Sequence, residues 1–457
     1  MIRLSINEII AATGGTLEAG ELDAILTGIS TDSRRISHGC LFIPLKGENF
    51  DGHDYLSAAF ENGAAAALTQ KETPCFPGKV MIRVNDTLKA LHDLASYYRR
   101  RFDIPFVGIT GSVGKTSTKE MIAFALGTKY NILKNEGNLN NEIGVPLTIF
   151  RLEPEHEAAV VEMGMSGFGE IRALTSIVRP QVGIITNIGL SHIEMLGSRQ
   201  NILKAKLELL EGLQPDGLLI LNGDDVMLSG VKDLLDVRTA SYGLEENTDY
   251  QAYNIRSRGE SGVDFGITLD NKEYMVHVPA PGVHNVYNAL AALAAGRELH
   301  IPTEELIRGI ADYSPGKMRL NVIKSNGLTI LNDAYNSSPQ SVKAALDVLD
   351  EIKANRRIAV LGDMLELGEW SAQAHTETGV YASHSQTDMI VTVGTAAANI
   401  VNGAVGAGFP SNGAVALKDN AEAISYLKDI ICEDDAILVK GSRGMMMEEI
   451  VNALLSN

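Results

Sequence analysis

Residues 108–121 read GITGSVGKTSTKEM. Gly111, Ser112, Gly114, Lys115, Thr116 and Ser117 lie where an apolar run, PFVGIT, gives way to a helical pattern, TSTKEMIAFALG. Glycines let backbone N–H groups curl around an anion without Cβ clashes. The N-terminus of a helix adds positive potential at that point. A lysine there reaches terminal phosphates, and the next hydroxyl suits Mg²⁺. The stretch therefore reads as a nucleotide-phosphate loop of the form GxxGK[ST]. The commoner GxxxxGK[ST] spacing would require glycine at position 109, which is Ile109. The loop alone leaves three outcomes open: a switch, a phosphorylated product, or a new bond driven by nucleotide hydrolysis.

Other groups with chemical potential also sit at the ends of apolar runs. AAVVEMGMSGFGE ends a run at Glu162, and a carboxylate there suits Mg²⁺, which takes oxygen ligands. His192 follows VGIITNIG, with Glu194 close behind. A lone histidine is more often structural, but this one falls on the same predicted sheet edge as the phosphate loop. NILKAKLELLEGL carries Lys204 and Lys206 on a helix-like pattern, and periodicity alone reads both as part of a solvated face. KNEGNLNNEIGVP holds Asn135, Asn138, Asn140 and Asn141. It is equally a polar loop or a hydrogen-bonding wall for a polar ligand.

These groups need elements to hold them. From residue 104 short apolar runs (PFVGIT, AAVVEMG, VGIITNIG, LLILNGD) alternate with helix-like segments, the pattern of a parallel sheet buried on both faces. Such sheets place their chemistry at the carboxyl ends of the strands. A second set (LTILNDAY, RIAVLGDM, DMIVTVG, DAILVKGSRG) repeats the pattern in a smaller α/β domain. Before them, CLFIPLKG predicts a strand and residues 55–69 a helix followed by a short buried strand. Residues 86–101 predict a helix linking two domains. The chain has 457 residues, which suggests about three domains. We place them at 1–84, 85–314 and 315–457, all α/β.

The net charge of −18 argues against broad nucleic-acid binding, which needs a basic surface. No apolar run reaches the length of a membrane span (about 18 residues), and MIRLSINEII lacks the apolar core of a signal peptide. Cys40, Cys75 and Cys432 lie far apart and read as free, buried thiols in a reducing cytoplasm.

Taken in order, GSVGKTS, GNLNNEIGVP, VEMGMSGFGEI, TNIGLSHIEMLGS, KAKLELLEGL, LNGDD, PGVHNVYNALAALA, PGKMRL, NDAYNSSP, LGDMLELG and VKGSRGMMMEE resemble the Mur ligases. These are ATP-dependent amide-forming enzymes of peptidoglycan synthesis. The resemblance covers nearly the whole chain, including STDSRRISHGCLFIPLKGENFDGHDYL near the start. NDAYNSSP, LGDMLELG and VKGSRG are most similar to the member whose incoming amine is D-alanyl-D-alanine.

The resemblance implies an N-terminal α/β domain for the UDP-sugar peptide (UDP-N-acetylmuramoyl-tripeptide), a central parallel-sheet domain for ATP, and a C-terminal Rossmann-like domain that helps bind the amine. It implies that Lys115, Glu162, His192 and Lys206 carry the catalysis. Thr116, Glu162, His192 and Lys206 would serve two Mg²⁺ sites, with Lys206 carbamylated by CO₂. Asn288, Arg319 and Asp333 would join the phosphate loop in holding ATP. Ser33, Arg34, Lys46, Asn49, Asp51, His53, Asn138, Asn140 and Asn141 would face the UDP-sugar peptide. Tyr335, Asn336, Lys440 and Arg443 would line the amine side. A cytoplasmic monomer without nucleic-acid or membrane partners is expected. NDAYNSSP departs from the family's frequent DD-x-YNANP, and Lys317 stands where arginine is common, which blurs fine nucleotide contacts. The alternatives are another Mur ligase, a folylpolyglutamate-synthase-like ligase, or a regulatory ATPase with a phosphate loop. A guanine-nucleotide switch would carry an NKxD motif, which the sequence lacks.

Overall fold

The structure, a computed structural model, describes residues 3–72, 74 and 76–456. The apolar runs read from the sequence are strands, and they assemble mainly into three sheets. The largest has nine strands in the order Lys272–Val278, Val263–Leu269, Tyr250–Ser257, Arg238–Gly243, Leu218–Asn222, Val182–Ile185, Phe106–Thr110, Ala158–Glu162, Ile132–Lys134. Phe106–Thr110 and Ala158–Glu162 are buried throughout, as expected for strands covered on both faces. The expectation of a purely parallel sheet holds only for part of it. Tyr250–Ser257, Val263–Leu269 and Lys272–Val278 form an antiparallel meander. The turn Asp270–Asn271, both residues at positive φ, closes its second hairpin, and such turns favour short polar side chains.

Packing groups the chain into two compact units, Met1–Gly108 with Tyr130–Gly183 and Glu208–Gly217, and Ile109–Lys129 with Ile184–Leu207 and Leu218–Asn457. In the first, a five-stranded sheet runs Thr16–Ala19, Val80–Arg83, Ala66–Thr69, Leu41–Phe42, Ile29–Ser30. Only its Thr16–Ala19 edge is antiparallel. The strand expected over 40–47 is just Leu41–Phe42, because Pro44 removes a ladder donor and Lys46 turns back to bridge Asp51. The predicted helix over 86–101 is Thr87–Arg99. Asp86 caps it by accepting from the Lys89 N–H at 2.8 Å, a device that contributes about 1 kcal/mol. Its Tyr97 hydroxyl donates to Glu8 at 3.2 Å.

In the second unit, a six-stranded sheet runs Asn321–Ser325, Leu328–Asp333, Asp435–Lys440, Arg356–Gly362, Met389–Val393, Ala414–Leu417. All its pairs are parallel except the first. Ile330, Ile358, Val360, Val391, Ile437 and Val439 form the centre of its core.

The cysteine expectation needs correction. Cys40 is buried but Cys432 is exposed. Cys432 lies in the turn after helix Asn420–Ile430, where its N–H donates to the Asp435 carboxylate at 2.8 Å, so the backbone is anchored while the thiol faces outward. Cys75 lies outside the described residues. Among the described residues, no helix is long and apolar enough to cross a membrane.

Candidate nucleotide and ligation site

The phosphate loop is held by the segment after strand Val182–Ile185. Ser112 N–H donates to Asn187 O at 3.0 Å. The Asn187 side chain pairs with the Val113 backbone in both directions, each bond 2.9 Å. Gly189 N–H donates to Ser112 Oγ at 2.8 Å. Gly111 has φ 151° and Gly114 φ 85°. A Cβ on Gly111 would lie 1.9 Å from Thr186 Oγ1, and that hydroxyl is committed to Val113 O at 2.6 Å. Gly111→Ala is therefore expected to cost about 1–3 kcal/mol of stability, the range for overpacking. Chemical denaturation checks this, and a loss below about 0.5 kcal/mol, the level of an ordinary surface change, would show that the loop yields.

Helix Lys115–Leu126 begins at Gly114. Lys115 Nζ donates to Gly111 O at 2.8 Å, which folds the cation back over the loop. Burial pushes the Tyr313 hydroxyl up to about 12, with nearby Ser117 opposing the shift. Thr118 Oγ1 donates to Asn288 Oδ1 at 2.8 Å, and Asn288 Nδ2 donates to Asn285 Oδ1 at 3.0 Å. Asn288, expected at the nucleotide, is thus tied to the first turns of the loop helix.

Lys206 lies on helix Arg199–Leu207. The solvated-face reading fails for it and holds for its neighbour: Lys206 is 1 % exposed, whereas Lys204 is exposed. Burial pushes the Lys206 amine well below its ordinary value, and the charge of Lys115 adds to the shift. The amine is therefore driven toward its neutral, nucleophilic form.

His192 and Glu366 meet at 2.7 Å, Nδ1 to Oε2. Both backbones are left-handed, with φ 63° and 62°, a geometry that costs a non-glycine residue about 1–2 kcal/mol. The hydrogen bond to His192, with Lys115 contributing through its charge, holds the Glu366 carboxyl below the usual range.

A second cluster joins the six-stranded sheet to the loop helix. Arg319 Nη2 donates to Thr116 Oγ1 at 3.0 Å, and its guanidinium sits 3.9 Å from the centre of the Tyr335 ring. Lys440 is almost fully buried, with Nζ 2.5 Å from Asp333 Oδ2 and 2.9 Å from Asn336 O. Asp333 Oδ1 also accepts from Leu320 N–H at 3.1 Å. Nearby, burial pushes His284 down to about 4, with Asp333 opposing and Lys440 reinforcing the shift. Thr116, Arg319, Asp333, Tyr335, Asn336 and Lys440 are thereby connected. Arg443 stands apart in an exposed pair with Glu448 at 2.7 Å.

In the first unit, Glu162 ends its strand with 2 % exposure. Asn140 Nδ2 donates to its Oε1 at 2.7 Å, and its own N–H donates to Asn135 Oδ1, also at 2.7 Å. Asn135 Nδ2 returns to Glu162 O at 3.1 Å. The asparagine-rich segment thus positions the carboxylate, while Asn138 and Asn141 are exposed. Asn141 Oδ1 accepts from Gly144 N–H at 2.9 Å. Of the residues expected at the UDP-sugar, Lys46, Asn49 and Arg34 are exposed. Arg34 pairs with Asp32 at 2.9 Å, and Ser33 O accepts from Asn62 at 2.9 Å. Asp51 and His53 are engaged with the fold itself: His53 Nδ1 faces Asp51 Oδ1 at 2.6 Å, Nε2 accepts from Gln70 N–H at 3.2 Å, and Lys71 also pairs with Asp51.

Family models match this chain in three stretches: 25–99 to the Mur ligase family catalytic domain, 109–296 to the Mur ligase middle domain, and 318–443 to the Mur ligase glutamate ligase domain. The UDP-N-acetylmuramoyl-tripeptide–D-alanyl-D-alanine ligase of Bacillus subtilis is 40% identical, covering 100% of this chain and 99% of its own. The chain belongs to the Mur ligase family. This Mur ligase is also similar to MurF from Acinetobacter baumannii, with 31% identity, full coverage of both chains and a TM-score of 0.93. It is similar as well to MurF ligase from Thermotoga maritima in complex with ADP, with 26% identity, 94% and 97% coverage and a TM-score of 0.84. It is an ATP-dependent ligase acting on small molecules.

Sequence reasoning passed over several groups that lie against or beside the expected site residues. Glu366 lies inside a quoted motif, LGDMLELG, but its contact with His192 spans 174 positions and no local pattern reveals it. Thr186 and Asn187 were legible in principle, because TN directly follows the apolar run VGII. His284 sits in the HNVYN stretch quoted for Asn288.

Proposed function

We propose that this Mur ligase joins D-alanyl-D-alanine to UDP-N-acetylmuramoyl-tripeptide in the synthesis of peptidoglycan precursors. The carrying observation is full-length similarity to ligases of that name, together with a phosphate loop whose Lys115 folds back over Gly111 and whose Thr116 accepts from Arg319. A free carboxylate acylates poorly, because attack must expel oxide. Transfer of the γ-phosphoryl group of ATP to the peptide's terminal carboxylate gives an acyl phosphate and ADP. The dipeptide amine attacks the acyl carbon, a tetrahedral intermediate forms, and phosphate leaves as the amine loses its proton. Catalysis is then mostly positioning and neutralisation of the transferring oxygens.

Lys115 neutralises the γ-phosphoryl oxygens, backed by the N–H groups of the first turn of helix Lys115–Leu126. Arg319, Asp333 and Asn288 hold the rest of the nucleotide. Tyr335, Asn336, Lys440 and Arg443 serve the amine side. Ser33, Arg34, Lys46, Asn49, Asp51, His53, Asn138, Asn140 and Asn141 serve the UDP-sugar peptide, with Asp51, His53 and Asn140 acting by shaping its surroundings. The division into 1–84, 85–314 and 315–457 follows these tasks, and we propose a cytoplasmic monomer.

Mg²⁺ fits the donor set. Among the described residues no group of three His, Cys, Asp or Glu forms an all-protein cage, and Mg²⁺ is commonly held by one or two protein oxygens plus phosphates and water. Thr116, Glu162, His192 and carbamylated Lys206 are the proposed holders, and the ion supplies charge neutralisation at the phosphates. The carbamate follows from the Lys206 amine. A neutral amine attacks CO₂ and loses a proton, giving an N-carboxylate, an anion of the right sign for a site with Lys115 and Mg²⁺.

ADP release is the test. It is expected to require both the UDP-tripeptide and D-alanyl-D-alanine across a panel of peptides and amines. Turnover unchanged by omitting the dipeptide would sink the ligase reading in favour of a regulatory ATPase.

A further inference from the structure

The loop after strand Arg356–Gly362 is fixed residue by residue. Asp363 Oδ1 accepts from Ala397 N–H at 2.7 Å. Met364 N–H donates to His375 Nε2 at 3.0 Å. Leu365 N–H donates to Ser442 Oγ at 2.9 Å. His375 is fully buried, and its Nδ1 lies 2.7 Å from Ser371 O. That bond makes Nδ1 the protonated nitrogen and Nε2 the acceptor. After three pinned residues comes Glu366, whose left-handed backbone turns its carboxylate onto His192 Nδ1. Two residues on, Gly368 has φ 51°, and a Cβ there would lie 3.1 Å from Glu194 Cγ. A glycine lets the loop pass close to the short helix Ile193–Leu196.

We infer that Glu366 is a positioning residue for the ligation reaction, fixing the tautomer and ring orientation of His192. A carboxylate on Nδ1 makes that nitrogen the N–H donor and leaves the lone pair on Nε2, the arrangement by which carboxylates orient ligating histidines. The inference rests on the reading of His192 as part of the site. Its content goes further: the carboxylate comes from the sheet that also carries Asp333 and Lys440, so the phosphate-loop region is completed by the part of the chain proposed to receive the amine. Glu366 is on this account no substrate contact.

Three Glu366 variants and two readouts test it. Glu366→Ala is expected to lower kcat about 10–100-fold and to leave KM for D-alanyl-D-alanine within about threefold. Glu366→Asp should recover part of the loss, and Glu366→Gln, which keeps an acceptor but not the charge, should fall between. Independently of turnover, ¹⁵N-histidine NMR of the protein without substrates, with His192 assigned through His192→Gln, should show Nε2 unprotonated in the wild type and mixed tautomers in Glu366→Ala. A raised KM for the dipeptide with kcat retained would overturn the proposal and make Glu366 an amine contact. Identical His192 resonances in wild type and Glu366→Ala would also overturn it. Because the resonances are read without substrate, they hold or fail whichever amine the enzyme takes.

Discussion

Lys206→Ala is expected to lower kcat by about 10²–10³-fold, the scale of losing one preorganised electrostatic group, and to regain part of it when acetate or formate is added. The expectation comes from burial and charge together. An ammonium at Lys206 would be fully buried beside a second cation, Lys115, an arrangement that low dielectric penalises. Carbamylation exchanges that cation for an anion. Alanine leaves room where a small carboxylate can stand in for the carbamate. Full activity without rescue would show that the side chain is only structural. Stability gives a second view. The folded-state pKa of unmodified Lys206 lies below its unfolded value, so the unfolded chain binds the extra proton. Stability therefore rises with pH between the folded pKa and about 10.4, the unfolded value. Lys206→Met should remove that slope, gaining most over the unmodified wild type at neutral pH and least near the upper limit. Added bicarbonate should raise the melting temperature of the wild type and leave Lys206→Met unmoved.

Lys115→Met is expected to cost about 10³-fold or more in kcat, by analogy with the loss of other cations that neutralise a transferring phosphoryl group. Its ammonium reaches back over Gly111 O at 2.8 Å, at the mouth of a loop whose backbone is already fixed by Thr186 and Asn187. The loop should therefore keep its shape in the variant, and calorimetry should find ADP still bound. Arginine at this position should not restore the rate, because a planar fork cannot take the place of a compact point charge in a glycine-bounded pocket. Single-turnover measurement of acyl-phosphate formation separates this defect from one in amine attack. A rate within about threefold of wild type would remove Lys115 from the chemistry.

The parts of this protein that were legible in its sequence are those set by local rules. Glycine spacing, the Lys-Thr pair and a helical run fixed the phosphate loop, and continuous apolar runs ending at Glu162 or Asp333 marked strand ends. What escaped is set by distance in the chain. Lys206 read as a surface lysine because periodicity describes one helix and not what packs on it. The asparagines of 135–141 were ambiguous between loop and ligand wall. The structure shows Asn135 and Asn140 holding Glu162, a contact between two strand ends that no single segment encodes. The resemblance implies that Asp51 and His53 face the UDP-sugar, but their contacts with Gln70 and Lys71, which lie in a different turn, are not encoded in that motif. The antiparallel meander over 250–278 was missed because its alternation, KEYMVHV for example, is weaker than the apolar runs beside it.

That meander has a consequence for colloidal behaviour. Lys272–Val278 is an end strand of the nine-stranded sheet, and an end strand offers unpaired backbone groups to any other chain. Here it carries Lys272, Glu273 and His277, with Lys272 paired to Glu304 and His277 2.7 Å from Asp264. Docking a foreign strand on this rim would strip water from those charges. The opposite end strand, Ile132–Lys134, has three residues and offers too short a template for amyloid-like growth. Both rims of the sheet thus resist the docking of a foreign strand, one by its charges and the other by its shortness.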